Sequence, residues 1–515
     1  MTGVFACACE RAFPTKAAAS GLKQLAGAGR VEIVKDLCSA AGREAIVGKI
    51  REHGIDRIVL AGCPAIERAG LPATIAEEAG LPAPHVVFLL LMNAKKGTDA
   101  AAAAPGIHRA VSALEAMPGF EARRWKLCQD VLVIGAGPAG LEAARSLAGL
   151  GHAVTVIDRS TAATGAAAGA KVPGIEVLSS TTLSAFDGWP GSFQGRLLGP
   201  SGPVERTFGA VIAATGLELA DGGASPFAPG KIVPLPGLIG HLAGLRLREL
   251  PRALAIVLDL EMDEGKASCC EAYRIAVEAQ RTCRAAATLL VRDAKVAAMD
   301  LNRAYDAARE AGVTVLKYTG APVIEARDGE VAITARDSVT GEDVRLSCGI
   351  AAISPWGLRS PADAHLAGIL GLDLDASDRI QDNSSRLLPV ATNRRGVFAV
   401  GACRGETWLP AVLRDARVAA LAAHAFLAPR RMSVDTAHAV VDGDKCVLCL
   451  TCVRTCPFKA MGIHEADRRA DCRAEACRQC GICAGECPNK AITLPAWSDP
   501  IVLGLAAPAA RKVRA

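Results

Sequence analysis

Residues 131–158 begin Val131-Leu-Val-Ile-Gly135-Ala-Gly137-Pro138-Ala139-Gly140 and end Val154-Thr-Val-Ile-Asp158. A short apolar run enters three glycines spaced Gly-x-Gly-x-x-Gly. A helical stretch from Leu141 to Leu150 follows, stopped by Gly151, and a second apolar run ends in an acid. Each part suits a dinucleotide. Gly135 allows a tight strand-to-helix turn, Gly137 lets the backbone approach a pyrophosphate, and Gly140 lets helix and sheet lie close. The pyrophosphate then meets the positive end of a helix. Asp158, followed by Arg159, is placed to hold ribose hydroxyls. Glycines alone also mark ordinary turns; the order strand, glycines, helix, strand, acid is what makes the pattern specific.

Working outward, 515 residues exceed one hydrophobic core and predict several domains. The net charge of +5 is too mild to indicate a nucleic-acid partner. No apolar run approaches the roughly 18 residues of a membrane helix, and the N-terminus lacks a basic region followed by an apolar one. The expectation is a cytoplasmic protein without membrane insertion. Nineteen cysteines then point to metal or redox work rather than a disulfide framework.

The C-terminal cysteines are the most specific. Cys446-x-x-Cys449-x-x-Cys452-x-x-x-Cys456-Pro457 is repeated as Cys477-x-x-Cys480-x-x-Cys483-x-x-x-Cys487-Pro488. In this two-cluster ferredoxin spacing the fourth cysteine of each run ligates the other cluster. One [4Fe-4S] cubane therefore takes Cys446, Cys449, Cys452 and Cys487, and the other Cys477, Cys480, Cys483 and Cys456. Zinc ribbons pair Cys-x-x-Cys knuckles and do not repeat this unit. Cys472 is left over and reads as a spare buried thiol. The tail from Trp497 carries no motif, and its basic end (Arg511, Lys512, Arg514) reads as a solvated terminus.

Residues 1–92 alternate strand-like and helical stretches. Val4–Ala6 leads into Cys7 and Cys9, Val31–Leu37 into Cys38, and Arg57–Gly62 into Cys63. Parallel sheets bind ligands at the edge where strand C-termini converge. Four thiolates there suit a cluster, but free cysteines are also common small core residues. Residues 93–126, with Ala100–Ala104 before Pro105-Gly106 and a helix-like Ile107–Ala116 leading into Pro118-Gly119, read as a linker. Phe208–Gly216 reads as a strand ending in Thr215-Gly216, where a flavin lobe crosses to a second lobe. There, Ala253–Leu260 reads as a strand, but the following turn, Asp259-Leu-Glu-Met-Asp-Glu264-Gly265, is acidic. Four carboxylates would repel a nicotinamide pyrophosphate, so this lobe reads as retained scaffold. Adjacent Cys269-Cys270, with Cys283 beyond, make a poor dithiol pair. The chain returns at Gly396–Gly401, and a helix from about Leu409 to Phe426 follows, with Pro410 in its first turn.

Together these pieces resemble the heterodisulfide reductase A family, the iron–sulfur flavoproteins of heterodisulfide reductase and related bacterial complexes, over nearly the whole chain. Leu37-Cys38-Ser39-x-x-Gly42, Glu52–Cys63, Gly188–Phe193 and Gly396-Val-Phe398 all look like family segments. The resemblance implies an α/β fold. A thioredoxin reductase-like core (127–435) carries an FAD lobe (127–217 and 345–435) and a degenerate nicotinamide-type lobe (245–344). An N-terminal iron–sulfur domain (1–92) precedes it, and a ferredoxin-like domain (440–495) and a tail (496–515) follow. It makes Cys7, Cys9, Cys38 and Cys63 ligands of a third [4Fe-4S] cluster and the flavin FAD. Gly135, Gly137, Pro138, Ala139, Gly140, Asp158, Arg159, Thr215, Gly216 and Gly401 then contact FAD. In such two-lobe flavoproteins, the element after Gly396 aims a helix N-terminus at the flavin ring. No residue is assigned a catalytic role. The implied function is electron transfer between clusters and FAD in a multi-subunit oxidoreductase. Implied partners are proteins resembling heterodisulfide reductase B and C and a low-potential ferredoxin or other donor protein; a dimer of this chain is one arrangement. A self-sufficient NAD(P)H-dependent flavin reductase, similar to the glutamate synthase small subunit, and a non-enzymatic electron relay are the rivals.

Three departures from the family stand out. Between Trp189 and Phe208 there is no room for an inserted ferredoxin module. Residues 160–174 lack the usual Gly-Gly segment, and Gly401-Ala-Cys403 replaces the usual Gly-Cys order.

Overall fold

Alternating apolar runs and helical stretches build two separate parallel sheets and the parallel half of a third. The computed structural model describes residues 1–9, 30–68, 70–90, 100–161, 173–216, 218–219, 231–235, 238, 242, 251–260, 265–297, 300–327, 330–354, 358–359, 361–376, 378–384, 387 and 389–506. Most of 160–174, the start of the expected linker (93–99), Glu261–Glu264 of the acidic turn and the basic terminus lie outside these residues, as does the Cys283 side chain.

The first sheet is parallel. Strand Thr2–Cys7 lies between Arg30–Val34 and Arg57–Gly62, and Val86–Leu90 forms the far edge. Val86–Leu90 is only half covered. Helix Ala40–His53 starts where the Ser39 hydroxyl accepts from the Gly42 amide at 3.0 Å and ends at left-handed Gly54.

Two expectations are corrected here. The described part of the 93–126 stretch is not a free linker. Residues Ala100–Ala116 form a helix that continues through Pro105, and Ile107, Val111 and Leu114 are buried in the N-terminal core. Alanine is the strongest helix former, so a run that looks like low complexity is also helix sequence. Strand Ala122–Lys126 then pairs antiparallel with Arg431–Asp435. The tail is not featureless either: helix Asp499–Ala506 places Ile501 and Leu505, one turn apart, on the same N-terminal core.

The second sheet is parallel, with Val131–Ile134 between Ala210–Ala213 and Val154–Ile157, and Val397–Ala399 and Ile175–Leu178 at the edges. Helix Pro138–Gly149 packs on helix Leu409–Leu427 through Ala139, Ala143, Ala144, Ala416, Ala419, Ala420 and Ala423. Small residues let the two helices approach closely. Thr182–Trp189, Ser192–Gly199 and Gly202–Phe208 form an antiparallel meander.

The third sheet holds the second lobe. Ala253–Val257, Ala286–Val291, Ile350–Ile353 and Ile232–Pro234 are parallel, with helix Gly265–Cys283 joining the first two. Thr314–Arg327 continues the sheet, and Glu330–Asp337 and Asp343–Cys348 add antiparallel strands. Cys269 and Cys270 are buried in its core. Among the described residues no helix is long and apolar enough to cross a membrane.

Candidate cofactor sites

The glycine turn opens onto a cavity of about 380 Å³, within the range of ligand sites. Gly135, Gly137, Asp158, Arg159, Thr215 and Gly216 all line it. Pro138, Ala139 and Gly140 begin the helix behind it. The three glycines differ in what they permit. Gly135 has φ +110°, and a side chain there would run into the Ala214 carbonyl. A Cβ on Gly140 would strike the Gly135 carbonyl oxygen. At Gly137 nothing lies within 4 Å of the place a Cβ would take. The helix starting there has no side-chain cap, so its first amides are left for an anion. These features fit a dinucleotide pyrophosphate.

Asp158 accepts from the amides of Ala136 at 2.7 Å and Ser160 at 2.8 Å. Burial opposes its charge, but these two amides outweigh burial and hold the carboxyl below its ordinary range. Gly401 sits apart from this lining, at the end of Val397–Ala399 with φ +74°. Its turn is fixed by groups that motif reading missed. The Arg404 guanidinium grips Asp382 at 2.6 and 2.9 Å and Asp415 at 2.5 Å. Burial pushes the Asp415 carboxyl up although Arg404 pulls it the other way. Thr181, Leu183, His365 and Ile369 also line the cavity; none falls in a recognisable motif.

The ferredoxin-type cysteines sort into two hollows. Cys446, Cys449, Cys452 and Cys487 line one. Cys477, Cys480, Cys483 and Cys456 line the other. Each set contains the fourth cysteine of the opposite run. Among the described residues, no three His, Cys, Asp or Glu side chains converge on one point as a single metal ion requires; a cubane instead spreads its ligands around a cage. The Ala470 amide donates to Cys446 at 3.4 Å, the Ala491 amide to Cys487 and the Ala460 amide to Cys456, both at 3.3 Å. Amides aimed at sulfur suit thiolates. Cys472 lines the second hollow too, a placement the spacing did not reveal.

The second hollow is seated on the flavin lobe. The Asn393 amide donates to the carbonyl of Pro457, next to Cys456, at 2.7 Å. Arg473 pairs with Asp187 at 2.8 Å. Arg394 lies over the Phe186 and Phe193 rings and donates to the Gly188 carbonyl at 3.0 Å. Burial, with Arg473 close by, lowers its pKa to about 10.

At the N-terminal sheet, Cys7 ends its strand and Cys63 follows Arg57–Gly62; both are buried, while Cys9 is half-buried. Burial pushes the Cys7 thiol up to about 12, with Cys9 and Cys63 near enough to add to the shift. Cys38 is exposed and follows Leu37, whose backbone meets the Cys7 thiol. All four lie at the edge where the parallel strands end. That edge suits a cluster, which deprotonates the thiols it binds.

Residues 103–189 match the pyridine nucleotide-disulphide oxidoreductase family and residues 439–461 the 4Fe-4S binding domain. The A subunit of the ferredoxin:CoB-CoM heterodisulfide reductase of Methanosarcina acetivorans is 27% identical over 164 residues, 32% of this chain and 20% of that protein. The chain is similar to the A subunit of heterodisulfide reductase. A heterodisulfide reductase A-like protein of Archaeoglobus profundus is 25% identical over 169 residues, 33% of this chain and 24% of that protein. The alignments thus span about a fifth to a quarter of these relatives' length. Thioredoxin reductase of Lactococcus lactis aligns over 59% of this chain and all of its own at 18% identity, with a TM-score of 0.39. That of T. acidophilum covers 58% and 99% at 17% identity, also at 0.39.

Proposed function

We propose that this chain is an electron-transfer iron–sulfur flavoprotein component of a heterodisulfide reductase-like complex. In this reading it passes electrons between [4Fe-4S] clusters and FAD. The observation that carries the proposal is the sorting of eight cysteines into two hollows that exchange their fourth members, beside a glycine-lined cavity. When bound, FAD supplies a centre for one or two electrons and each cubane a centre for one, which lets pairs be split or combined.

The residues divide the work. Gly135, Gly137 and the amides opening helix Pro138–Gly149 would hold the pyrophosphate, and Asp158 the ribose hydroxyls. Thr215, Gly216 and Gly401 would border the remainder of the cofactor, the Gly401 turn being braced by Arg404. Asn393 and Arg473 hold the second cysteine set against the flavin lobe, and Arg394 braces the Gly188 turn within that lobe. Cys7, Cys9, Cys38 and Cys63 would hold a third cubane. Partners resembling heterodisulfide reductase B and C would take up or deliver the electrons, and any disulfide chemistry would be theirs.

Iron content tests the assignment. Anaerobically purified chain holds about 12 iron atoms if three cubanes form at four irons each. Cys63→Ala then removes about four and leaves the C-terminal clusters' EPR signals in place. A content near eight, unmoved by that change, would make the N-terminal cysteines structural.

A further inference from the structure

The ferredoxin spacing accounts for four cysteines at the second hollow, and the structure puts five there. Cys472 ends strand Arg469–Cys472 and is 8% exposed. That strand pairs with Met461–His464, with Cys472 opposite Met461, so its side chain is carried into the small core that encloses both hollows. It lines the second hollow together with Cys456, Cys477, Cys480 and Cys483. Its thiol is within hydrogen-bonding reach of Cys477, and Cys483 and Cys456 are near enough to act on it electrostatically. No fifth cysteine lines the first hollow among the described residues. A core filler at this position has no need of sulfur, since any aliphatic side chain of similar size would serve.

We infer that Cys472 is a reserve ligand of the second cluster, hydrogen-bonded to the Cys477 sulfur and able to replace it on iron. The inference rests on the cluster assignment proposed above. The exchange is a ligand substitution without change of oxidation state. The Fe–S bond to Cys477 breaks, Cys472 gives up its thiol proton and bonds to the same iron, and the proton passes to the Cys477 thiolate. While Cys477 holds the iron, the Cys472 thiol donates to its sulfur, and a donor to a ligand sulfur raises a cluster's potential.

The test uses the full chain, purified anaerobically, with iron content and EPR as readouts. If the unmodified chain lacks both C-terminal clusters, the cluster assignment itself fails, separately from this inference. Otherwise Cys477→Ala retains its iron, with an altered EPR signal from one cluster. Cys477→Ala combined with Cys472→Ala loses about four irons. Cys480→Ala, at a position without the hydrogen-bonding contact that Cys477 makes with Cys472, loses about four even with Cys472 present. Cys472→Val alone keeps all its iron and lowers the potential of one cluster while leaving the other unmoved. Loss of four irons from Cys477→Ala alone overturns the inference. So does retention in the double variant, or a Cys472→Val chain whose two potentials both stay at the unmodified values.

Discussion

The two lobes of the core use the same strand–helix–strand unit and close it in opposite ways. In the first, the acid stands one residue past the second strand: Asp158 reaches back to the amide of Ala136, two past the first strand. In the second lobe the corresponding positions have exchanged roles. Asp259, two residues past the first strand, accepts from the amide of Arg292, one past the second, at 3.3 Å. One bond links the same two strand ends in both. In the first lobe the turn Gly135-Ala136-Gly137 carries only the small Ala136 methyl and opens onto a cavity. In the second, Asp259 is 1% exposed with φ +60°, and it also meets Lys295 at 3.4 Å. A carboxylate thus occupies the level at which the first lobe has only the methyl group of Ala136.

The strongest way to break this comparison is to give the first lobe a side chain. Gly137 has φ −72° and ψ −179°, which any residue adopts, and open space beyond it. Gly137→Val should therefore fold normally and fill the place of the pyrophosphate. FAD content should fall from near one per chain to near zero, with iron unchanged. A variant that keeps stoichiometric FAD would show that the cavity serves something else. Gly140→Ala works differently. It forces the helix off the Gly135 carbonyl and should destabilise the lobe by about 1–3 kcal/mol.

The first lobe was legible because glycine spacing is a backbone requirement, written in the residues that meet it. Cysteine spacing was legible for the same reason: a cubane fixes the distances between its ligands. In the second lobe the strand at Ala253–Val257 was legible, but the acidic turn after it does more than repel a phosphate. Asp259 turns inward to an amide and a lysine, so it is a structural plug rather than part of an exposed acidic rim. Sequence shows the charge at a turn and not the direction in which it points. Cys472 escaped for a related reason, since pairing opposite Met461 is a tertiary fact. The helices Ala100–Ala116 and Asp499–Ala506 lie almost 400 residues apart, and their shared packing on one core leaves no local trace.

A kinetic experiment sharpens the contrast between lobes. NADH and NADPH, mixed anaerobically with the chain, should leave flavin absorbance unchanged, while dithionite or reduced low-potential ferredoxin should bleach it. Rapid bleaching by NADH would make the second lobe a working nucleotide site and favour the self-sufficient reductase. Removing the plug should not create such a site. Asp259→Ala removes the acceptor of the Arg292 amide and should cost about 1–3 kcal/mol in urea unfolding. It should confer no NADH reactivity, because one alanine does not supply the glycine turn.

The smallest effect concerns the first lobe's own acid. Asp158 is only partly buried, so solvent weakens its bonds, and Asp158→Asn should cost about 1 kcal/mol at pH 7 in flavin-free protein. The sign of the pH dependence follows from its lowered pKa. Folding favours the charged form, so its stabilisation is complete above the unfolded carboxyl value of about 3.9 and disappears as pH falls through the folded value. Amide exchange at Ala136 and Ser160, compared between variant and parent at matched pH, isolates this local term. Protection should be greater in the parent at pH 7 and pH 5, and the gap should narrow below about pH 4. A gap that stays constant to pH 3 would mean that shape, not charge, holds the turn, since asparagine keeps one acceptor oxygen and loses only the second. The bond between the two strand ends of the first lobe would then not depend on the ionisation of Asp158.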